Sequence, residues 1–227
     1  MKLGDLAYPD VPTGAVHLLP LGATEPHGPH APLATDTMIS VGICNRAAER
    51  LEGEMQVLVL PAVPYGVTRY GSAFPGAVSI GEETLRSLVT EIADTARPLV
   101  LVNSHFEPEQ VETLRSTGLP LLDLTRRKNA ERLTDEFRSG SCHAGRYETS
   151  LVLAEQAELV HVDRMLALDG WHVDMPAAIR AGQTDFAAMG MDQAYCGSPA
   201  EASAEEGRQT FETLTEMLVE LIREVAA

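Results

Sequence analysis

The chain has 227 residues, 44% of them hydrophobic, which is enough to bury one sizeable core within the size range of α/β domains. Thirty-three acidic against seventeen basic residues give a formal charge of −16, spread along the chain, which repels phosphate backbones and anionic lipid surfaces and argues against nucleic acid as a partner. Three widely spaced cysteines without a CxxC pair argue against a disulfide framework or a thiolate zinc site, and no apolar stretch approaches the roughly 18–20 residues that a bilayer span requires. The N-terminus lacks a basic region followed by an apolar core, so the expectation is a soluble protein of the reducing cytoplasm that does not enter membranes.

In chain order, short continuous apolar runs occur at 15–22 (AVHLLPLG), 56–63 (QVLVLPAV), 97–104 (RPLVLVNS) and 119–124 (LPLLDL). Each is bounded by Gly, Pro or charge, as expected for strands buried on both faces. Helical periods lie between them. Residues 36–52 place Ile39, Ile43, Ala47 and Leu51 four apart and stop at Gly53, and residues 82–96 carry Leu85, Leu88, Val89 and Ile92 before Pro98. The irregular stretch 165–200 is the region open to forming an inserted subdomain or a lid. A long closing helix follows, with Ser203 and Glu206 placed as a capping box and Phe211, Leu214, Leu218, Leu221 and Ile222 on one face. Strand–helix alternation predicts one α/β domain over 1–227, with a mostly parallel sheet covered by helices.

Ligands of such sheets bind beyond the carboxyl ends of the strands. Two motifs fall there: Glu25-Pro26-His27 after the first strand and His105-Phe106-Glu107 after the third. Residues two apart in extended chain point the same way, so each motif can aim an imidazole and a carboxylate at one place. Asp36 sits at or beside the start of the following helix. Two histidines and three carboxylates suit zinc, manganese or iron, and they are more than one catalytic zinc takes while keeping a position for water. Two ions sharing a carboxylate, about 3.5–4 Å apart, would use them all.

Plainer roles compete with these. Asp36 can be a helix N-cap. His17 reads as a core histidine with a satisfied nitrogen and His30 as an ordinary loop histidine, while His161 and His172 have no supporting neighbours. In CHAGRYETS (142–150), His143 and Glu148 flank a glycine turn and suit general acid/base chemistry, against a helix cap made by Thr149 or Ser150 with Glu148 solvated.

Taken together, LPLGATEPHGPHAPLATDT, FPGAVSIG, VNSHFEPE, HAGRYETSLVL and GSPAEASAEEG resemble, in order and approximate spacing, the motifs of the creatininase family of metal-dependent amidohydrolases, from about residue 14 to 220. The resemblance implies that Glu25, His27, Asp36, His105 and Glu107 are metal ligands with Asp36 bridging, and that His143 and Glu148 hold catalytic or metal-proximal positions. It further implies a three-layer αβα fold, two divalent ions per chain (zinc, manganese or iron), homo-oligomers that are often hexamers, and hydrolysis of a C–N bond in a cyclic or linear amide. Members act on creatinine, on a formamide of flavin and deazaflavin synthesis, or on the mycofactocin precursor peptide. The Glu two residues after His105 is closer to the creatininase subgroup than to members with Asn-Gly-His-Gly-Gly-Asn.

Two departures stand out. Ser104 replaces the usual glycine, and RSGSC (138–142) stands where creatininase has a tryptophan that closes over its flat substrate, the sole tryptophan here being Trp171. The expected activity is therefore attack of a metal-activated water on a cyclic or linear amide, with creatinine turnover weak or absent. Peptide or formamide hydrolysis in a cofactor pathway, and a metal-binding member without turnover, are the alternatives.

Overall fold

Unbroken series of Val and Leu require cover on both faces, and the chain supplies it by alternating strands with amphipathic helices. The computed structural model describes residues 1–227 and contains four strands: β1 (Val16–Leu21), β2 (Val57–Val59), β3 (Leu99–Asn103) and β4 (Leu121–Leu122). All pair in parallel, in the order β2-β1-β3-β4. The helices are α1 (Thr35–Arg50), α2 (Glu82–Thr95), α3 (Pro108–Ser116), α4 (Arg127–Ala130), α5 (Asp135–Ser139), α6 (Arg146–Gln156), α7 (Val162–Leu166), α8 (Met175–Arg180) and α9 (Ala204–Ala226).

Side chains alternate across the pleat with period two, so each strand feeds two cores. Val16, Leu18, Val100 and Val102 pack with α1, α6 and α9 on one face, where Ile43, Leu151, Phe211 and Leu218 are fully or almost fully buried. Leu19, Leu21, Leu99 and Leu101 pack on the other face with Leu85 and Val89 of α2 and Leu114 of α3. The result is the three-layer αβα arrangement.

Two strands are shorter than the apolar runs that predict them. The run at 56–63 keeps formal strand pairing only over Val57–Val59, yet Leu60 and Val63 still donate to the carbonyls of Leu18 and Pro20, so Pro61 and Pro64 interrupt the ladder without removing the chain from the sheet edge. The run at 119–124 pairs only at Leu121–Leu122 because Asp123 turns the chain, its Oδ1 accepting from Thr125 N. His17 also differs from expectation: it is half-buried, and its Nδ1 is enclosed with no hydrogen-bond partner.

Ser203 caps α9 by accepting from Glu206 N at 3.1 Å, while its own N–H donates to Ser150 Oγ and not to Glu206. This bond ties the start of α9 to α6. At the crossing of these helices a Cβ on Gly207 would lie 1.9 Å from the carbonyl oxygen of Ser150, so the glycine sets how closely the helices approach. Gly207→Ala is expected to cost about 1–3 kcal/mol by forcing them apart. At roughly 2–4 °C per kcal/mol for a chain of this size, thermal unfolding measures it; an unchanged Tm would mean that α9 can shift freely.

The region 165–200 forms a packed cover with its own small core of Phe186, Met189, Met191, Ala194 and Cys196 against Tyr70. No helix is long and apolar enough to cross a membrane. The strand order places the topological switch between β1 and β3, where consecutive crossovers leave in opposite directions and open a crevice at the carboxyl ends.

Candidate metal centre

Both strand-end motifs open into this crevice. The turn after β1 is tight: a Cβ on Gly22 would lie 2.5 Å from the backbone nitrogen of Thr37, so only glycine lets the strand end abut the first turn of α1. That close approach sets Asp36, in the first turn of α1, beside Glu25 and His27. Asp36 is not the N-cap, a position held by Ala34; its carboxylate turns inward instead.

Six side chains gather there, each almost fully buried: Glu25, His27, Asp36, His105, His143 and Glu148. Asp36 lies between two imidazoles, with Oδ1 3.1 Å from His27 Nε2 and Oδ2 3.2 Å from His105 Nδ1. Glu25 Oε1 is 3.1 Å from His105 Nδ1 and 4.0 Å from His143 Nδ1, and Glu148 Oε2 is 3.7 Å from His27 Nε2. Their donor atoms form three overlapping sets able to hold a cation: Glu25, Asp36 and His105; His27, Asp36 and Glu148; and Glu25, His27 and His143.

The orientation of the imidazoles tests whether this centre fits metal. Each histidine donates one ring N–H to a backbone carbonyl, which can only accept: His27 Nδ1 to Glu25 (3.1 Å), His105 Nε2 to Val67 (2.8 Å) and His143 Nε2 to Pro26 (2.9 Å). The second nitrogen of each ring then faces the shared space, the usual outer-partner arrangement of metal-bound histidines. Asp36 Oδ2, buried, makes no aligned hydrogen bond. Burial disfavours the charged form of His27, but Asp36, Glu148 and Glu25 outweigh it and hold it up at about 10. Burial also opposes ionisation of Glu25, yet His105, His143 and His27 outweigh it and pull its carboxyl far below the usual range. Burial raises Glu148 to about 8 against the pull of His27. Buried carboxylates here need positive charge, and the donor set fits divalent ions.

Glu107 stands apart from this cluster. Its oxygens accept from the backbone N–H groups of Arg69 (2.9 and 2.8 Å) and Tyr70 (3.2 Å), and Oε2 is 4.0 Å from His105 Nε2, the nitrogen that faces away from Asp36. Of the five side chains expected to converge, Glu25, His27, Asp36 and His105 meet here with Glu148 beside them, and Glu107 lies at their edge. The helix-cap alternative for 142–150 does not describe the loop: Gly145 is the N-cap of α6, neither Thr149 nor Ser150 caps it, and Glu148 is buried with Oε2 accepting from Ala144 N at 2.6 Å. Glu148 therefore faces His27, and Pro26, not Glu148, is the hydrogen-bond partner that orients His143. His30, expected as an ordinary loop residue, is fully buried and bonded through Nε2 to Thr149 Oγ1 at 2.8 Å.

Segment 66–70 escaped sequence reading, since Gly-Val-Thr-Arg-Tyr has no motif character. It supplies the Val67 carbonyl to His105, the Thr68 hydroxyl to Glu25 Oε2 and two amides to Glu107.

Above the cluster lies a cavity of about 330 Å³. Its floor is the acidic and histidine groups, its walls are Tyr70, Phe106, Phe137, Met175, Ile179 and Phe186, and Arg138 and Ser139 also line it. Trp171 is half-exposed and does not line this space.

A doubly wound sheet carrying buried imidazoles and carboxylates at its switch point has the makings of a metal-dependent α/β hydrolase. The family model for creatininase, described as creatinine amidohydrolase, matches residues 5–222, and the chain belongs to the creatininase family of metal-dependent amidohydrolases. It is 33% identical over 216 residues to a mycofactocin precursor peptide peptidase of Mycobacterium ulcerans, covering 90% of this chain and 83% of that protein. It is 29% identical over 247 residues to a creatinine amidohydrolase of Pseudomonas putida, covering 92% and 89%. Among solved structures, a manganese creatininase superposes with a TM-score of 0.72 at 25% identity, covering 98% of this chain and 97% of that one. A creatininase variant of Zn–Zn type superposes at 0.71 with 27% identity and the same coverage.

Proposed function

We propose that this protein hydrolyses the C–N bond of a peptide-like amide at a centre of two divalent ions. The observation that carries the reading is Asp36 between His27 and His105, each imidazole held by a backbone carbonyl so that its free nitrogen meets a different Asp36 oxygen. Glu25, His105 and Asp36 Oδ2 would hold one ion, and His27, Glu148 and Asp36 Oδ1 the other. When bound, such ions polarise an amide carbonyl and lower the pKa of water. The manganese and Zn–Zn creatininase structures support either metal.

His143 supplies the proton chemistry. Its Nε2–H is committed to Pro26, which leaves Nδ1 to take a proton from the attacking water and return it to the departing nitrogen as the C–N bond breaks. The hydroxyl goes to the carbonyl carbon, and the products are a carboxylic acid and an amine.

The apolar walls favour a peptide over a small flat lactam. Phe106, Phe137, Met175 and Phe186 offer surface for an aliphatic or aromatic side chain beside the scissile bond, and Ser139, where the resemblance to creatininase implies a closing tryptophan, lines the same space. The mycobacterial relatives, named as peptide peptidases, support the same choice. Creatinine hydrolysis, the second reading, is supported by the Pseudomonas relative. Oligomer formation accompanies either reading and is measured by sedimentation.

Zinc- or manganese-loaded protein is expected to cleave peptides with apolar residues at the scissile bond, to lose that activity in chelator and to regain it with added metal. Creatinine turnover should be weak or absent in the same preparation. Chelator-insensitive cleavage would overturn the metal reading, and efficient creatinine turnover the peptide reading.

A further inference from the structure

We propose that Gln110 is a positioning residue that sets the direction of His105 through the backbone of Val67, an inference that rests on reading His105 as a metal ligand. Gln110 lies in the first turn of α3 and is completely buried. Its Oε1 accepts from Val67 N at 2.8 Å, and its Nε2 donates to Asn103 Oδ1 at 3.0 Å and, at 3.5 Å, to the Gly22 carbonyl. Asn103 in turn donates from Nδ2 to the His105 carbonyl at 2.6 Å. Val67 closes the ring by accepting from His105 Nε2 at 2.8 Å.

One amide therefore holds both ends of the same residue. Through Asn103 it fixes the His105 main chain, and through Val67 it fixes the acceptor that aims the imidazole, leaving Nδ1 directed at Glu25 and Asp36. The fit is close: a Cβ on Gly66 would lie 2.6 Å from Gln110 Oε1, so the chain at 66–67 runs directly against the amide. The segment so anchored continues into Thr68, Arg69 and Tyr70, which hold Glu25 and Glu107. Neither Gln110, Asn103 nor Val67 lines the cavity, so their influence reaches the centre through these hydrogen bonds and not by touching substrate. An apolar side chain of similar length cannot both donate and accept, and it would leave Val67 N and Asn103 Oδ1 buried and unpaired.

The test compares full-length wild type, Gln110→Met and Gln110→Glu, the last retaining an acceptor for Val67 N. Zinc affinity is measured by competition with a chromophoric chelator, and solvent exchange of the His105 Nε2–H by ¹⁵N NMR on metal-free protein. Gln110→Met is expected to bind zinc about 10–100-fold more weakly, the usual cost of losing an outer partner of a ligand, and to exchange the His105 proton faster. Gln110→Glu should recover part of both. Wild-type affinity and exchange in folded Gln110→Met overturn the proposal. Should that variant fail to fold, Asn103→Asp, which keeps an acceptor for Gln110 and replaces the donor to the His105 carbonyl with a carboxylate oxygen, must show the same two changes, and their absence overturns it equally. If wild type binds no zinc, the metal reading of the centre fails, while the exchange comparison still decides whether Gln110 directs His105.

Discussion

Asp36→Ala is expected to leave the purified protein with little bound metal and to lower kcat/KM by at least about 10³, equivalent to roughly 4 kcal/mol of lost transition-state stabilisation. The size follows from geometry. Asp36 is the side chain whose two oxygens face two different histidines, so its removal takes a ligand from both proposed ion positions. Glu107→Ala should lose less metal, because the Glu107 carboxylate is already satisfied by the amides of Arg69 and Tyr70. Elemental analysis gives metal content directly. Thermal unfolding adds an independent measure: an ion that binds only the folded state raises Tm, so zinc should stabilise wild type and have little effect on Asp36→Ala. Full metal content in Asp36→Ala would remove the shared-ligand arrangement.

His143→Ala is expected to lower kcat by about 10²–10⁴, the range for loss of a general acid/base group, while metal content stays close to wild type. The imidazole lies between the rings of His27 (centroids 4.7 Å apart) and Phe186 (4.4 Å), with Nε2 anchored on Pro26, so a single nitrogen remains for chemistry. The two proposed ion positions, Glu25 with His105 and Asp36 and His27 with Glu148 and Asp36, do not include it, although it belongs to a third candidate set with Glu25 and His27. Parallel metal analysis separates the roles: metal loss on the scale of Asp36→Ala would make His143 a ligand, and unchanged kcat would remove it from the reaction. Glu148→Gln should release metal, since Glu148 faces His27 and not His143.

Much of this molecule was legible in one dimension. Short continuous apolar runs and period-3.6 patterns are local properties of the chain, so the strands around Leu18, Leu58, Val100 and Leu122 and the helices beginning near Thr35, Glu82 and Ala204 follow from residue order. Glu25-x-His27 and His105-x-Glu107 were visible for the same reason: each motif is a short segment with spacing of its own. What the order of residues could not decide was which atoms meet. Whether the Glu107 carboxylate joins His105 or turns to Arg69 N depends on segment 66–70, which is distant in sequence and carries no pattern. Likewise the partners of His30, Glu148 and Gln110 lie on other elements, brought close only when α1, α3 and α6 pack around one sheet. Periodicity records how each segment buries its own apolar face, whereas hydrogen bonds inside a buried polar cluster are chosen by competition among all groups that packing encloses, and only the assembled tertiary structure fixes that competition.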